Sequence, residues 1–542
     1  MILTGRPRPP KPWDARTCFG PPEDSDPLSW GFYATHELRE PTQLEIEGEI
    51  PDWVTGSLYR GAAATWDVGN YTSEHWFDGF SRNHRFEIAN GAVTYRSRNG
   101  SDELMEIVRE TGLYPGGSFG GDPCKIIFGG FETTYRDGVE PVGDKSSANV
   151  GVAYAPNFAG LARNKSHKGV DPFDTLVMGT DGNELQQLDP DTLEPIELFT
   201  YQASDPLLVN GGRSAAHPVV DKDGTIFNYV LDLDAGPPVY RVFSINPPTG
   251  ETKIMANITD APPAYIHSMF ATEKHIILII WQADLVNPGV FTILDAIGDW
   301  DESRHALFYV MDRESGKLLR KYEADHAFFA FHEINSFENE KGDIFIDLPR
   351  MNDASFLYAA KMENLRANLG SPDSSSWNDL AASFTRFRLP YHPPACRRRG
   401  EGDAAPKVTY DAEVDFTIPF EGGNIELPRI NPEYAGKPYR YAYGIHSKQK
   451  GYFADSIIKV DTYDQSVKVW TPETRHLPSE PIFAKRPGGE REDDGVLLTV
   501  VMSQKEKRSS LVFLDAVTLE EIARAKMPIV MGYGFHGGWG TG

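Results

Sequence analysis

One short phrase returns along this chain: "LDPDTLEP" at 188–195, "INPPTGET" at 245–252, "MDRESGKL" at 311–318, "VDTYDQSV" at 460–467 and "LDAVTLEE" at 514–521. Each sets an apolar residue, an Asp or Asn and a few turn-forming residues before a return segment. Asp and Asn side chains hydrogen-bond to their own backbone a few residues on, so the phrase reads as a hairpin. The marker residues Asp189, Asn246, Asp312, Asp461 and Asp515 are 57, 66, 149 and 54 residues apart, the third gap being two units plus an insertion. A repeat of roughly 50 to 70 residues with several strands per unit is the signature of a β-propeller, and the chain length holds about seven such units. Unrelated hairpins in a β-sandwich are the competing arrangement. Strand-like runs such as "GTIFNYVLDL", "HIILIIW", "GDIFIDL" and "DGVLLTVVMS" dominate, bounded by Gly, Pro, Asn and Asp. The clearest helical stretch is "DASFLYAAKMENLRANLG", 353–370, and an irregular segment follows to about 407. Residues 1–40 read as an N-terminal extension, and 41–542 as one propeller with an excursion at about 353–407.

Counting forward from the markers finds a second regularity. His267 follows Asn246 by 21 residues, His332 follows Asp312 by 20 and His536 follows Asp515 by 21. His217 follows Asp189 by 28, with "DPLLVNGG" as the extra loop, and Glu480 follows Asp461 by 19. Equivalent positions in different blades converge on the propeller axis, so these side chains can meet although distant in sequence. The last of them stands in "MGYGFHGGWG", where the glycines indicate a tight turn or close backbone approach. Imidazole suits zinc, copper, iron or nickel, and the close Cys and His pairs of structural zinc sites are missing. Histidine ligands need acceptors on their other ring nitrogen. Glu426 in "IELPRINPEY" and Glu480 in "PSEPIFAKRPG" sit between prolines that can turn a carboxylate inward, although a surface charge is the commoner fate of a glutamate.

Composition narrows the partners. A net charge of −25 disfavours nucleic acid and electrostatic docking on anionic lipid. Cys18, Cys124 and Cys396 lack metal-type spacing, and an odd number suits a reducing compartment. The N-terminus lacks the apolar core of a signal peptide and no run is long enough to span a bilayer, so a cytoplasmic location is expected. No glycine-rich phosphate loop stands between a strand and a helix, so no nucleotide site is expected.

"AHPVVD" around His217, "YIHSMFATEKHIILII" around His267, "FHEINSFE" around His332 and "GYGFHGGW" around His536 resemble the four histidine motifs of the carotenoid cleavage oxygenase family. "GSLYRGAAATWDVG", "EHWFDGF", "IELPRIN", "SEPIFAKRPG" and "REDDGVLL" resemble further family segments in family order, so the resemblance covers about 40–540. It implies an all-β, seven-bladed propeller whose few helices and long loops cap a non-haem Fe(II) on the axis. It also implies oxidative cleavage of an alkene by dioxygen into two carbonyl products. His217, His267, His332 and His536 match the iron ligands, and Glu426 and Glu480 match two of three supporting carboxylates. The third falls on Asp181, where the family usually carries Glu; the shorter side chain either bonds a histidine, directly or through water, or leaves it free, and Glu184 is the less favoured substitute. "HWFDGFSRNHRF" departs from the family continuation, so His75 and His84 are expected to be structural. Stilbene-cleaving members carry Lys before the third carboxylate, where this chain has Thr180; Tyr135 with Lys165 or Lys168 is the alternative anchor for a phenol. The expectation is therefore a carotenoid or apocarotenoid, with a stilbene or phenylpropenoid of the resveratrol or isoeugenol kind as the alternative, and a non-enzymatic propeller scaffold as the reading from another class. A lipid-like substrate implies an apolar tunnel and a peripheral, hydrophobic contact with membranes.

Overall fold

All five marker turns fold alike. In each, the Asp or Asn side-chain oxygen accepts from the backbone N–H three residues on, at 2.8–3.2 Å. The residue four on is left-handed, with φ of 51–76°. Glycine takes that position at Gly250 and Gly316, while Leu193 and Leu519 adopt it at a cost on the order of 1 kcal/mol or more. Both leucines are buried, a gain of about 1.5–3 kcal/mol each that offsets the strain. Every one of these turns joins the third strand of an antiparallel sheet to its fourth.

The structure is a computed structural model and describes residues 21–541 apart from 23–24, 123, 125, 128–143, 162–172, 209–211, 235, 288–291, 368–381, 392–408, 449–453 and 473. Among the described residues, seven sheets of four to six strands form the blades of a propeller. Blade 1 pairs Gly534–Gly540 with Gly56–Thr65, followed by Phe80–Ala89 and Ala92–Asn99. Its outer hairpin turns through Asn90 and Gly91, both at positive φ, as a two-residue loop requires. Blades 2 to 6 follow in chain order and begin at Ala153–Pro156, Arg213–Ser214, Phe270–Ala271, Asn335–Glu338 and Glu426–Ile430. Blade 7 begins at His476–Pro478, and Glu45–Gly48 closes its outer edge beside Glu521–Lys526. The ring is thus locked twice by early and late segments: blade 1 takes its first strand from residues 534–540, and blade 7 takes its last from 45–48.

Neighbouring blades cover both faces of each sheet, so central strands read as continuous apolar runs where a half-exposed sheet would alternate. His275–Ile280 and Gly495–Ser503 are buried almost throughout. The largest core cluster runs through blades 3, 4 and 5. Part of the stretch that the sequence sets ahead of the propeller packs on it: Leu28 and Phe32 of Pro27–Phe32 are buried with Trp66, Trp76 and Tyr533.

The excursion at 353–407 differs from its sequence reading in two ways. Ser383–Leu389 lies inside it and is the third strand of blade 5, where a bulge between Arg386 and Phe387 breaks the alternation of "SFTRFRL". The helix of 353–370 is two short helices, Ser355–Ala359 and Met362–Ala367. It breaks because the segment before Trp76 takes the backbone groups a continuous helix needs: Trp76 N–H donates to Ala360 O at 3.0 Å, and Met362 N–H to Glu74 O at 2.8 Å. Phe356 and the neighbouring Trp76 and Phe77 then face the propeller axis, lining the cavity described next.

Candidate metal centre

Each of the four histidines stands on or beside the innermost strand segment of a blade. His217 lies between Arg213–Ser214 and Val219–Val220, His267 precedes Phe270–Ala271, His332 precedes Asn335–Glu338, and His536 is within Gly534–Gly540. Backbone pairing ties two of them directly: His217 N–H donates to His267 O at 3.1 Å, and Met269 N–H returns to His217 O at 3.0 Å. The glycines around His536 serve close approach. A Cβ on Gly537 would stand 2.5 Å from Tyr59 O and 2.6 Å from the Arg60 side chain, and one on Gly532 1.9 Å from Ala63 O. Only backbone without side chains passes there.

One ligand-capable nitrogen from each histidine lies within 4.8 Å of the other three. Three rings have Nδ1 on a carboxylate: His332 on Glu426 Oε2 at 2.6 Å, His536 on Glu480 Oε1 at 2.9 Å and His267 on Asp181 Oδ1 at 2.5 Å. A carboxylate only accepts, so each Nδ1 carries the proton and each Nε2 presents a lone pair. Yet Nε2 of His332 and Nε2 of His536 are 3.1 Å apart, and the buried Nε2 of His217 has no hydrogen-bond partner among the described residues. Burial first, then the neighbouring histidines and Arg429, hold the pKa of His217 and of His536 well below the imidazole range, so both are neutral. Neutral lone pairs converging at such distances repel unless a cation lies between them. The cluster therefore fits a metal ion with affinity for imidazole.

The three carboxylates are held differently. Glu480 is buried and also accepts from Arg429 Nε at 2.8 Å, from an Arg60 guanidinium nitrogen at 3.2 Å and from Gly537 N–H at 2.8 Å. Arg60 is fully buried and further donates to Glu480 O at 2.9 Å and Ser479 Oγ at 3.0 Å. Glu426 Oε2 accepts also from Leu427 N–H at 2.6 Å, across a bulge where Leu427 is left-handed; Oε1 is buried without a partner among the described residues. Asp181 has no arginine: its Oδ2 accepts from Tyr265 Oη–H at 3.0 Å. Asp181 thus reaches His267 directly, and Glu184 makes no hydrogen bond to the four histidines.

His75 and His84 lie away from the cluster, as structural residues do. His75 Nε2 is 2.7 Å from Leu357 O and its Nδ1 accepts from Phe77 N–H, while His84 Nδ1 is 2.8 Å from Tyr95 Oη. Tyr135, Lys165 and Lys168 lie outside the described residues. An apolar cavity walled by Trp76, Phe77, Phe331, Met351, Phe356 and Phe535 opens on one side of the cluster. A larger, more polar opening, with Arg429 and Glu480 in its wall, reaches it from the other. Sequence reasoning missed Arg60, Arg429 and Tyr265. Tyr265 did leave a signal, since residues i and i+2 of an extended segment face the same way, but nothing local links Arg60 to a glutamate 420 residues later.

The chain matches the family model described as retinal pigment epithelial membrane protein over residues 31–541. It is 33% identical to a carotenoid dioxygenase of Neurospora crassa, across 94% of this chain and 90% of that one. Against the torulene dioxygenase of Fusarium fujikuroi the identity is 32%, covering 94% and 93%; against the human mitochondrial carotenoid-cleaving dioxygenase it is 30%, covering 91% and 87%. The fold superposes on a variant of Synechocystis apocarotenoid oxygenase with a TM-score of 0.72 at 22% identity, covering 96% of this chain and 99% of that one. No helix among the described residues is long and apolar enough to cross a membrane.

Proposed function

Because the chain belongs to the carotenoid cleavage oxygenase family, that of the retinal pigment epithelial membrane protein, we propose that it cleaves a carbon–carbon double bond of a carotenoid or apocarotenoid with dioxygen, using Fe(II) held by His217, His267, His332 and His536. The names of its relatives, a carotenoid dioxygenase and torulene dioxygenases, support that substrate class. The observation that carries the metal assignment is the convergence of inward-facing Nε2 lone pairs, two of them 3.1 Å apart.

Iron, when bound, supplies a centre at which dioxygen is activated beside an electron-rich alkene. The net reaction adds both oxygen atoms to the two alkene carbons and gives two carbonyls, so no external reductant is consumed. The rest is done by the chain. Asp181, Glu426 and Glu480 each accept an Nδ1 proton, which fixes the tautomer and ring orientation and raises the basicity of Nε2. Trp76, Phe77, Phe331 and Phe535 make the cavity wall apolar, which favours a polyene and excludes bulk water. A polyene partitions into lipid, and this supports a peripheral, hydrophobic contact with a membrane. The acidic net charge makes that contact hydrophobic, not ionic. A cytoplasmic location, reached from the cysteine content, goes with this proposal.

The test is purified protein assayed for metal and for products. Stoichiometric iron, and aldehyde or ketone fragments that appear only with oxygen, are expected, with no dependence on nicotinamide cofactors or 2-oxoglutarate. Stoichiometric zinc without turnover, or a strict cosubstrate requirement, overturns the proposal.

A further inference from the structure

The apolar cavity has one polar corner that takes no part in holding the histidines. It lies in blade 6, where strand Glu426–Ile430 begins and strand Tyr441–His446 ends. Asn424 Nδ2 donates to Ser447 O and Asn424 Oδ1 accepts from Ser447 N–H, both at 2.8 Å. His446 Nδ1 lies 2.8 Å from Asn424 O. A carbonyl oxygen has no proton to give, so Nδ1 is the protonated nitrogen and Nε2 holds the lone pair. His446 is 4% exposed, lines the cavity, and its Nε2 has no hydrogen-bond partner among the described residues. Burial lowers its pKa below the imidazole range, more than the bond to Asn424 raises it, which keeps the ring neutral.

An acceptor left unpaired in an apolar cavity is unfavourable, because it forgoes the hydrogen bond it would make with water. A second acceptor lies in the same cavity: Glu426 lines it, and its Oε1 is buried without a hydrogen-bond partner among the described residues. Neither can satisfy the other, because both accept. Glu426 pairs with Ile445 across the strands, so His446 is one residue beyond the position facing the carboxylate that holds His332. What the corner lacks is a donor brought by the occupant.

We propose that His446 is a specificity-determining residue: its Nε2 accepts a hydrogen bond from a hydroxyl on a terminal ring of the substrate, so the cavity selects alkenes ending in a hydroxylated ring over their deoxy counterparts. The inference rests on the reading of this cavity as the site of alkene cleavage. A ring hydroxyl of an apocarotenoid and a phenol hydroxyl of a stilbene offer the same donor, and the experiment separates them.

Purified, metal-loaded enzyme is given two matched pairs: apocarotenals of equal length with and without a ring hydroxyl, and stilbenes with and without a phenol hydroxyl. In one pair, kcat/KM for the hydroxylated member should exceed that of its deoxy match by about tenfold or more, because the deoxy substrate leaves the acceptor unpaired. The preference should sit in KM, fall to about one in His446→Phe, and survive in part in His446→Gln, whose amide oxygen still accepts. A merely structural histidine would slow both members of a pair alike in either variant. Ratios near one in wild type for both pairs, or a preference undiminished in His446→Phe, overturn the inference while leaving the alkene-cleaving function intact. Cleavage of none of the four overturns that function, and the inference with it.

Discussion

Two corners of the metal centre do the same job with opposite means. At one, Glu480 holds His536 while two guanidinium groups, those of Arg429 and the serine-anchored Arg60, and a backbone N–H hold Glu480. At the other, Asp181 holds His267 with a single neutral hydroxyl, that of Tyr265, behind it. The first corner joins blades 1, 6 and 7 through charged groups, of which Arg60 and Glu480 are buried and Arg429 is partly exposed. In the second, a shorter carboxylate and a tyrosine two residues before the ligand suffice. The lesson is that an acceptor for an imidazole N–H need not be buttressed by a cation; where it is, the cation also binds the ring of blades together.

The largest expected effect breaks both corners alike. His536→Ala and His267→Ala should each abolish turnover and leave the protein without stoichiometric iron by elemental analysis; full iron and turnover in either variant would refute the ligand set. The corners separate next. Glu480→Gln leaves the fully buried Arg60 without its counter-charge, so it should cost about 3–5 kcal/mol of stability, seen as a large fall in Tm of chelator-treated protein. Asp181→Asn strands no buried cation, so its Tm should stay close to wild type while metal affinity falls by about 10- to 100-fold. Equal Tm losses would erase the contrast. The smallest effect is the finest test. Tyr265→Phe should weaken metal binding by about tenfold, measured by competition with a chelator. In an Asp181→Glu background, where the longer side chain relies less on the hydroxyl, the same change should cost distinctly less. Additive losses in this double-mutant cycle would mean that the hydroxyl acts elsewhere.

Local chemistry explains which parts could be read in advance. The marker turns were legible because an Asx side chain folds back within three residues, and all five do so. The histidine offsets followed from them, since a blade repeats its strands at nearly constant length. The 149-residue gap concealed blade 5, whose third and fourth strands, Ser383–Leu389 and Glu413–Ile418, are joined by a long connection instead of a marker turn. Blade 1 escaped the pattern too, its turn being the two-residue Asn90–Gly91 loop. The Arg60–Glu480 pair and the helix break at Ala360 depend on neighbours supplied by other blades, and the lone pair of His446 depends on an Asn424 carbonyl 22 residues away, just before the neighbouring strand, so no short window of sequence shows them.

The closing of blade 1 by Gly534–Gly540 has a consequence for how the protein is made. Three of the histidines belong to blades 3, 4 and 5, which are synthesised first, whereas the fourth arrives on the strand that completes the ring. Pairing of Ser57 with Gly540 spans almost the whole chain, and contacts of such separation form late and slowly. Until that strand is made the ring stays open, with three of the four imidazoles in place. A chain interrupted before residue 536 lacks the last ligand and the seam together. Metal binding is thus expected only of chains whose synthesis ran to the final strand, and an early stop codon removes the last of the four histidines and the ring closure at once.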